Sequence, residues 1–460
     1  MDYKISLLGY SERPQTLAVA GALSCFEEEC SAEIFKELSG LPPDELAKKE
    51  RAVLKNSFGR GHGSVGDQTY FTFSLENVPR VVTLHLCLPE YAQHLQQSLR
   101  RANPSRGFHL PEIIKKSPLA KGVNEVLAKS FELYDEMRNG GIPAEDARFL
   151  LPLYTKTNIQ TTINVRELCH LWLMSQDAGV PSIVKAVVED MLSMAKERAP
   201  YLLEDFGSNY ELLSFYPSAQ FFYAQRNSWM DFYMGNWSRK RQNTSNETIM
   251  VGKLLPPFSL GDTLEKAVRD RNEGQLANLK HVHFEFCAPM SIACLHQAIR
   301  QRTWNHSVET VYEALPHVLD YLDFENYESV NFAFRIAVPP SIKKSQFDGK
   351  YRRQHQEMLA LSWFLWREGI PRMEAVGVIP HSLKVHTLIH INGWNAIHSI
   401  GKRTCTTAQW EIREIAQKMA GKIKEAEPAF NNWAEPQCVA YGKCPEAKEC
   451  GYYKTRKEVN

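Results

Sequence analysis

Two stretches of this chain repeat each other in order, and that repetition limits the fold more than any other feature. Residues 62–101 (HGSVGDQTYFTFSLENVPRVVTLHLCLPEYAQHLQQSLRR) and 275–313 (QLANLKHVHFEFCAPMSIACLHQAIRQRTWNHSVETVYE) each carry a short aromatic alternation, YFTF or HFEF. Alternation of that kind suits a half-buried strand, and an amphipathic helical run follows it in both. A second pair comes later: LLPLYTKTNIQTTINVRELCHLW at 150–172 and VIPHSLKVHTLIHINGWNAIHSI at 378–400. Each has a hydrophobic residue and Pro, an extended β-branched run, then Asn and a helix. His follows Asn at the same distance in both, Asn164 with His170 and Asn392 with His398, a spacing that brings the two near one helix face. The offset between copies grows from about 212 to about 228 residues, so the second copy has the longer middle. Two similar domains are expected. The pattern breaks near residues 205–225, which gives a first domain over 1–210 and a second over 211–460 with a cysteine-containing tail.

A chain of 460 residues exceeds one typical core, in agreement with that division. Its 54 Lys+Arg against 53 Asp+Glu leave a net charge of +1, without the phosphate-neutralising excess of a nucleic-acid binder. The N-terminal MDYKISLLGYSERP scatters charges through a short apolar stretch and lacks a signal-peptide core. No apolar run reaches the length of a membrane span. The expectation is a cytoplasmic globular protein without a membrane partner. The ten cysteines are not expected to form disulfides in that setting.

The ordered motifs resemble the flavin-dependent thymidylate synthase family, once per half and over most of the chain. The family carries His-x-Ser-x-x-Glu-His before a Phe-Thr-Phe strand, then His-Gln-x-x-Arg-His-Arg with a downstream Ser-x-Arg-Tyr. An Asn-x-Arg helix and an Arg-x-x-x-x-Ala-Gln-x-Glu-Ile-Arg segment come late. The first half keeps His62, Ser64 and Phe71-Thr72-Phe73, but has Asp67-Gln68 for Glu-His. Leu88-Pro89-Glu90 replaces the Arg-His-Arg triplet. Gln97-Ser98-Leu99-Arg100, Arg148, Asn164-Val165-Arg166 and His170 match, and the late element is missing. The second half is nearly the reverse. It keeps His296-Gln297, Arg300-Gln301-Arg302, Arg403 and Ala408-Gln409-Trp410-Glu411-Ile412-Arg413, with Thr310, Tyr312, Val376 and Trp394 where the family has Ser, Arg, Arg and Arg.

The resemblance implies an α+β fold of two tandem copies, each a small, mainly antiparallel sheet with helices. It implies sites assembled from different copies, as between subunits of the family's homotetramer. Two fused chains would then pair as a homodimer forming a pseudo-tetramer. Decay of both halves in a protein that lost the chemistry is the alternative reading of the complementary losses. Arginine suits such a site because its planar fork grips phosphates. By resemblance, Arg300, Gln301 and Arg302 hold FAD from one side. Asn164, Arg166 and His170 hold it from the other, with His62 and Ser64 near its edge. For His62 and His170 a hydrogen-bonded structural role is equally open. Gln97, Ser98, Arg100, Arg148, Gln297 and Arg403 bind the nucleotide, and Ser98 and Arg403 serve the reaction directly.

The implied reaction is reductive methylation of dUMP at uracil C5. A reduced folate or pterin is the one-carbon donor, NADPH the reductant, and the cofactor carries the difficult chemistry. A flavoenzyme for another pyrimidine nucleotide and a non-catalytic nucleotide-binding relative are the alternatives. Neither a G-x-S-x-G elbow nor a G-x-x-x-x-G-K-[ST] loop competes. The C-terminal Cys438, Cys444 and Cys450, with Cys405 upstream, could bind zinc or an iron–sulfur cluster, or close the fold without metal.

Overall fold

A computed structural model describes residues 3–204, 223, 247–301, 303–319 and 332–452. The backbone contacts divide the chain into two compact units. Unit 1 holds residues 1–218 and 357–380; unit 2 holds 219–356 and 381–460.

Each unit is built on a four-stranded antiparallel sheet. In unit 1 these are β1 (Lys4–Tyr10), β2 (Tyr70–Pro79), β3 (Gln93–Gln96) and β4 (Lys156–Asn164), in the spatial order β1-β2-β4-β3. In unit 2, β5 (Ile249–Leu254), β6 (His283–Ser291), β7 (Asn305–Val308) and β8 (Lys384–Asn392) take the matching order β5-β6-β8-β7. The α+β expectation with two copies therefore holds.

The aromatic alternations lie on the central strands, as their period predicts. Phe71, Phe73 and Leu75 of β2 point into the core, opposite Ile163, Thr161 and Ile159 of β4. Phe284 and Phe286 of β6 do the same opposite Ile391 and Ile389 of β8. Full burial of each phenyl ring contributes about 2–3 kcal/mol. In β2 the pairing shifts between Leu75 and Val78, where Asn77 adopts φ 60°. Asparagine tolerates that left-handed backbone, and the Asn77 amide donates to the Asn158 side chain at 3.0 Å.

Strands β4 and β8 both end at the repeated Asn. Asn164 Oδ1 accepts from the Glu167 amide at 2.8 Å and starts the helix Val165–Ser175. Asn392 Oδ1 accepts from the Asn395 amide at 3.0 Å and starts Gly393–Arg403. The short polar side chain satisfies one of the helix's open N–H groups, so the strand turns into a helix at a fixed residue. Among the described residues, no helix is long and apolar enough to cross a membrane.

Candidate functional site

In unit 1 the expected residues fall into two groups. The first gathers at Asp67. Arg166 on the helix Val165–Ser175 makes a bidentate pair with it, Nε to Oδ1 at 2.8 Å and Nη2 to Oδ2. Asn164 Nδ2 donates to the same Oδ1 at 3.0 Å. Burial raises the Asp67 carboxyl above its usual pKa, and Arg166 opposes that rise. His62 and Ser64 are exposed at the short helix Gly63–Gly66. Between them, a Cβ on Gly63 would meet Arg166 Cδ at 2.5 Å, so the bare backbone there lets the guanidinium pass. His170 is buried with Nδ1 3.8 Å from the Glu167 carboxylate.

The second group forms at Glu145. Arg100 Nε lies 2.6 Å from the Glu145 carboxylate, and Arg148 Nε donates to the Glu145 carbonyl at 3.1 Å. Ser98 Oγ accepts from the Arg100 amide at 3.2 Å. Ser98 and Gln97 are exposed just beyond β3, and the Gln97 amide extends its pairing by donating to the Asn158 carbonyl at 3.0 Å. Arg100 and Arg148 thus converge on Glu145, one on its carboxylate and the other on its backbone carbonyl, although this residue carried no motif.

In unit 2, Gln301 fills the place of the family's central His in Arg-His-Arg. Its amide is oriented with the oxygen accepting from the Arg403 guanidinium, through Nε at 3.2 Å and through Nη2. The next turn is pinned by Asn395, whose Oδ1 accepts from Thr303 Oγ1 at 2.7 Å and whose Nδ2 donates to the Thr303 carbonyl at 3.1 Å. Arg300 is exposed at the end of the helix Ile292–Ala298, and Gln297 Nε2 donates to the Ala293 carbonyl of that helix at 3.3 Å. Arg302 lies outside the described residues.

The late element is a brace. Gln409 Oε1 accepts from the Glu411 and Ile412 amides, both at 3.1 Å, and caps the helix Trp410–Ala426. Buried Glu411 then accepts from the Ser291 amide at 2.8 Å and from its hydroxyl at 2.5 Å. Ser291 in turn caps the helix Ile292–Ala298, accepting from the Cys294 amide at 3.0 Å. The Gln-x-Glu spacing therefore fixes where the segment carrying Gln297 and Arg300 begins.

One residue before Thr310, Glu309 is buried in a network the motifs did not reveal. Its Oε2 accepts from the His386 amide and lies against His386 Nδ1, both at 2.9 Å. Its Oε1 is 3.3 Å from His317 Nδ1, and Arg335 Nη1 lies 3.8 Å from Oε2. Burial alone would raise the carboxyl; His386, His317 and Arg335 outweigh it and hold the group well below the usual carboxylate range.

The metal expectation at Cys405, Cys438, Cys444 and Cys450 gains no support from the structure. Among the described residues, no group of three or more His, Cys, Asp or Glu is placed to hold a metal ion. Burial, reinforced by Cys444, Cys405 and Cys450, raises the Cys438 pKa, whereas a hydrogen bond with Thr406 lowers that of Cys450. Cys405 Sγ instead sits 3.2 Å from Thr407 Oγ1.

The family described as thymidylate synthase complementing protein matches residues 6–201 and again 215–429. A flavin-dependent thymidylate synthase of Pyrococcus furiosus is 35% identical over 175 residues, covering 37% of this chain and 69% of its own. One of Geobacter sulfurreducens is 29% identical over 209 residues, covering 44% and 87%. A solved UMP/dUMP methylase, PolB of Streptomyces cacaoi bound with 5-Br dUMP, is 17% identical with a TM-score of 0.38. It covers 45% of this chain and 95% of that one.

Proposed function

This chain belongs, in both halves, to the flavin-dependent thymidylate synthase family, and from that membership we propose that it methylates dUMP at uracil C5 as an FAD-dependent enzyme. A reduced folate or pterin would give the carbon and NADPH the reducing equivalents. The observation that carries the reading is the Gln301–Arg403 pair. It keeps the late-element arginine beside the Arg300 segment although the family's His is gone.

The donor set suits FAD. Arg300 would offer its exposed guanidinium to the diphosphate, and Arg166, whose Nε and Nη2 are held by Asp67, would serve the cofactor where Gly63 leaves the backbone bare. Bound FAD would supply the hydride chemistry. The chain's own residues would bind and orient. Arg100 and Arg148 would hold the nucleotide's phosphate, with Ser98 beside them. Arg403, aimed by Gln301, would polarise the pyrimidine.

Two measurements test the proposal. The purified protein should absorb at about 450 nm from bound flavin, and it should release tritium from dUMP labelled at C5. Colourless protein that takes up no added flavin would defeat the reading. A second reading, a different pyrimidine nucleotide, is favoured by Thr310 and Tyr312 in place of the family's Ser and Arg. Flavin binding without tritium release from dUMP would select it.

A further inference from the structure

Unit 2 contains a cavity of about 230 Å³ lined by none of the residues proposed above for FAD or dUMP. Four cationic side chains reach it: Lys343, Arg352, Lys384 and Lys418. Two carboxylates line it as well, Glu411 and Glu414. Basic side chains thus outnumber acidic ones in the lining, although Arg352 is paired with Asp348 and burial raises the Glu411 carboxyl above its usual pKa.

The groups are not equivalent. Arg352 Nε lies 3.0 Å from both carboxylate oxygens of Asp348, so this nitrogen is engaged. Glu411 is committed to Ser291. Lys384 opens β8 directly opposite Ser291, deep in the cavity, while Lys418 stands on the solvent side of the helix Trp410–Ala426. The remaining wall is largely apolar, with the Trp410 indole and Ile415 on that helix and Pro289 on β6.

We infer that this cavity is a second ligand site, separate from the proposed dUMP and FAD residues, and that it takes a small phosphate monoester with its phosphate between Lys384 and Lys418 and its organic group against Trp410. Lysines act as point charges and suit the several oxygens of a phosphate, whereas a carboxylate is best matched by an arginine fork, and the lining's one arginine already pairs through Nε with Asp348. A phosphate monoester near neutral pH carries about −1.5 to −2 charges, which the two lysines together can balance. Desolvation pushes the Lys384 amine down to about 8 even though Glu411 opposes it. An entering dianion offsets that cost by restoring the charged form. The volume admits a compact organic group and falls short of the usual range for larger cofactors, about 300–1,000 Å³.

Phenyl phosphate titrated calorimetrically into the full chain tests the assignment, with benzoate and inorganic phosphate as parallel titrants. Saturable one-site binding of phenyl phosphate is expected, with benzoate clearly weaker. Lys384→Met and, independently, the solvent-side Lys418→Met should each weaken it about tenfold or more. Arg403→Ala and saturating dUMP should leave it in place. That separates this site from the one proposed for methylation, so either can fail alone. Absence of binding, or binding unchanged in both lysine variants, overturns the site. Loss on Arg403→Ala or with dUMP moves the probe elsewhere and overturns it equally. Benzoate binding as tightly as phenyl phosphate overturns the phosphate assignment.

Discussion

The ring of Tyr154 lies over the backbone of Gly377, so close that a Cβ on Gly377 would sit 2.2 Å from Tyr154 Cδ1. The two residues come from different repeats and share unit 1. Tyr154 N donates to the Gly377 carbonyl at 2.8 Å, and Tyr154 Oη to the Glu374 carbonyl at 2.6 Å. Next to them, the Leu153 amide donates to the Ile379 carbonyl at 2.9 Å.

The Tyr154 ring is fully buried. Gly377→Ala should therefore destabilise unit 1 by about 1–3 kcal/mol or more through overpacking. Tyr154→Phe should cost about 1 kcal/mol by removing one hydrogen bond. Urea denaturation reads both. A Gly377→Ala midpoint equal to the parent's would mean the ring does not lie there.

Asp67 gathers Asn164 and Arg166, so Asp67→Ala should strand a half-buried guanidinium. A loss of about 1–3 kcal/mol is expected. If Arg166 serves FAD, its release should also change flavin affinity, measured by fluorescence titration. Asp67→Glu should recover part of both. A variant that loses stability with flavin affinity intact would leave Arg166 a purely structural role.

Gln301 aims Arg403. Gln301→Ala should lower tritium release from dUMP while leaving the fold intact, because the pair is partly exposed and its loss strands no buried charge. Arg403→Ala should lower it further, and the double variant should resemble Arg403→Ala alone, since Gln301 acts through the arginine. Additive losses in the double variant would argue that the two residues act separately.

Two imidazoles make stability depend on pH, one in each unit. Burial depresses His85 and His306 to about 4. Below about 6.5 the unfolded chain takes up protons at these positions and the folded chain does not. Their contribution is therefore complete above about 6.5 and disappears as pH falls to about 4, at most roughly 3 kcal/mol each. His85→Gln and His306→Gln should each flatten the stability profile between pH 7 and 4.5. A variant profile parallel to the parent's would show that the imidazole is not buried neutral.

What the sequence determined by itself was local and periodic. The YFTF and HFEF alternations marked Phe71, Phe73, Phe284 and Phe286 as inward-facing, because a strand's period of two records which face is buried. The repeated Asn marked both strand-to-helix junctions, because one side chain caps one helix. The ordered motifs placed the chain in its family. The tertiary structure decided the partners. Asp67 stands nearly a hundred residues from Arg166, and Glu411 stands 120 residues from Ser291. Both carboxylates lie at motif positions, but nothing in the local pattern names their partners. Glu145 and Glu309 were hidden for the same reason. The placement of residues 357–380 in unit 1, with Gly377 under Tyr154, likewise depends on how distant segments pack. Periodicity encodes burial along one element, whereas the choice of partner is made by sheet register and close packing between elements.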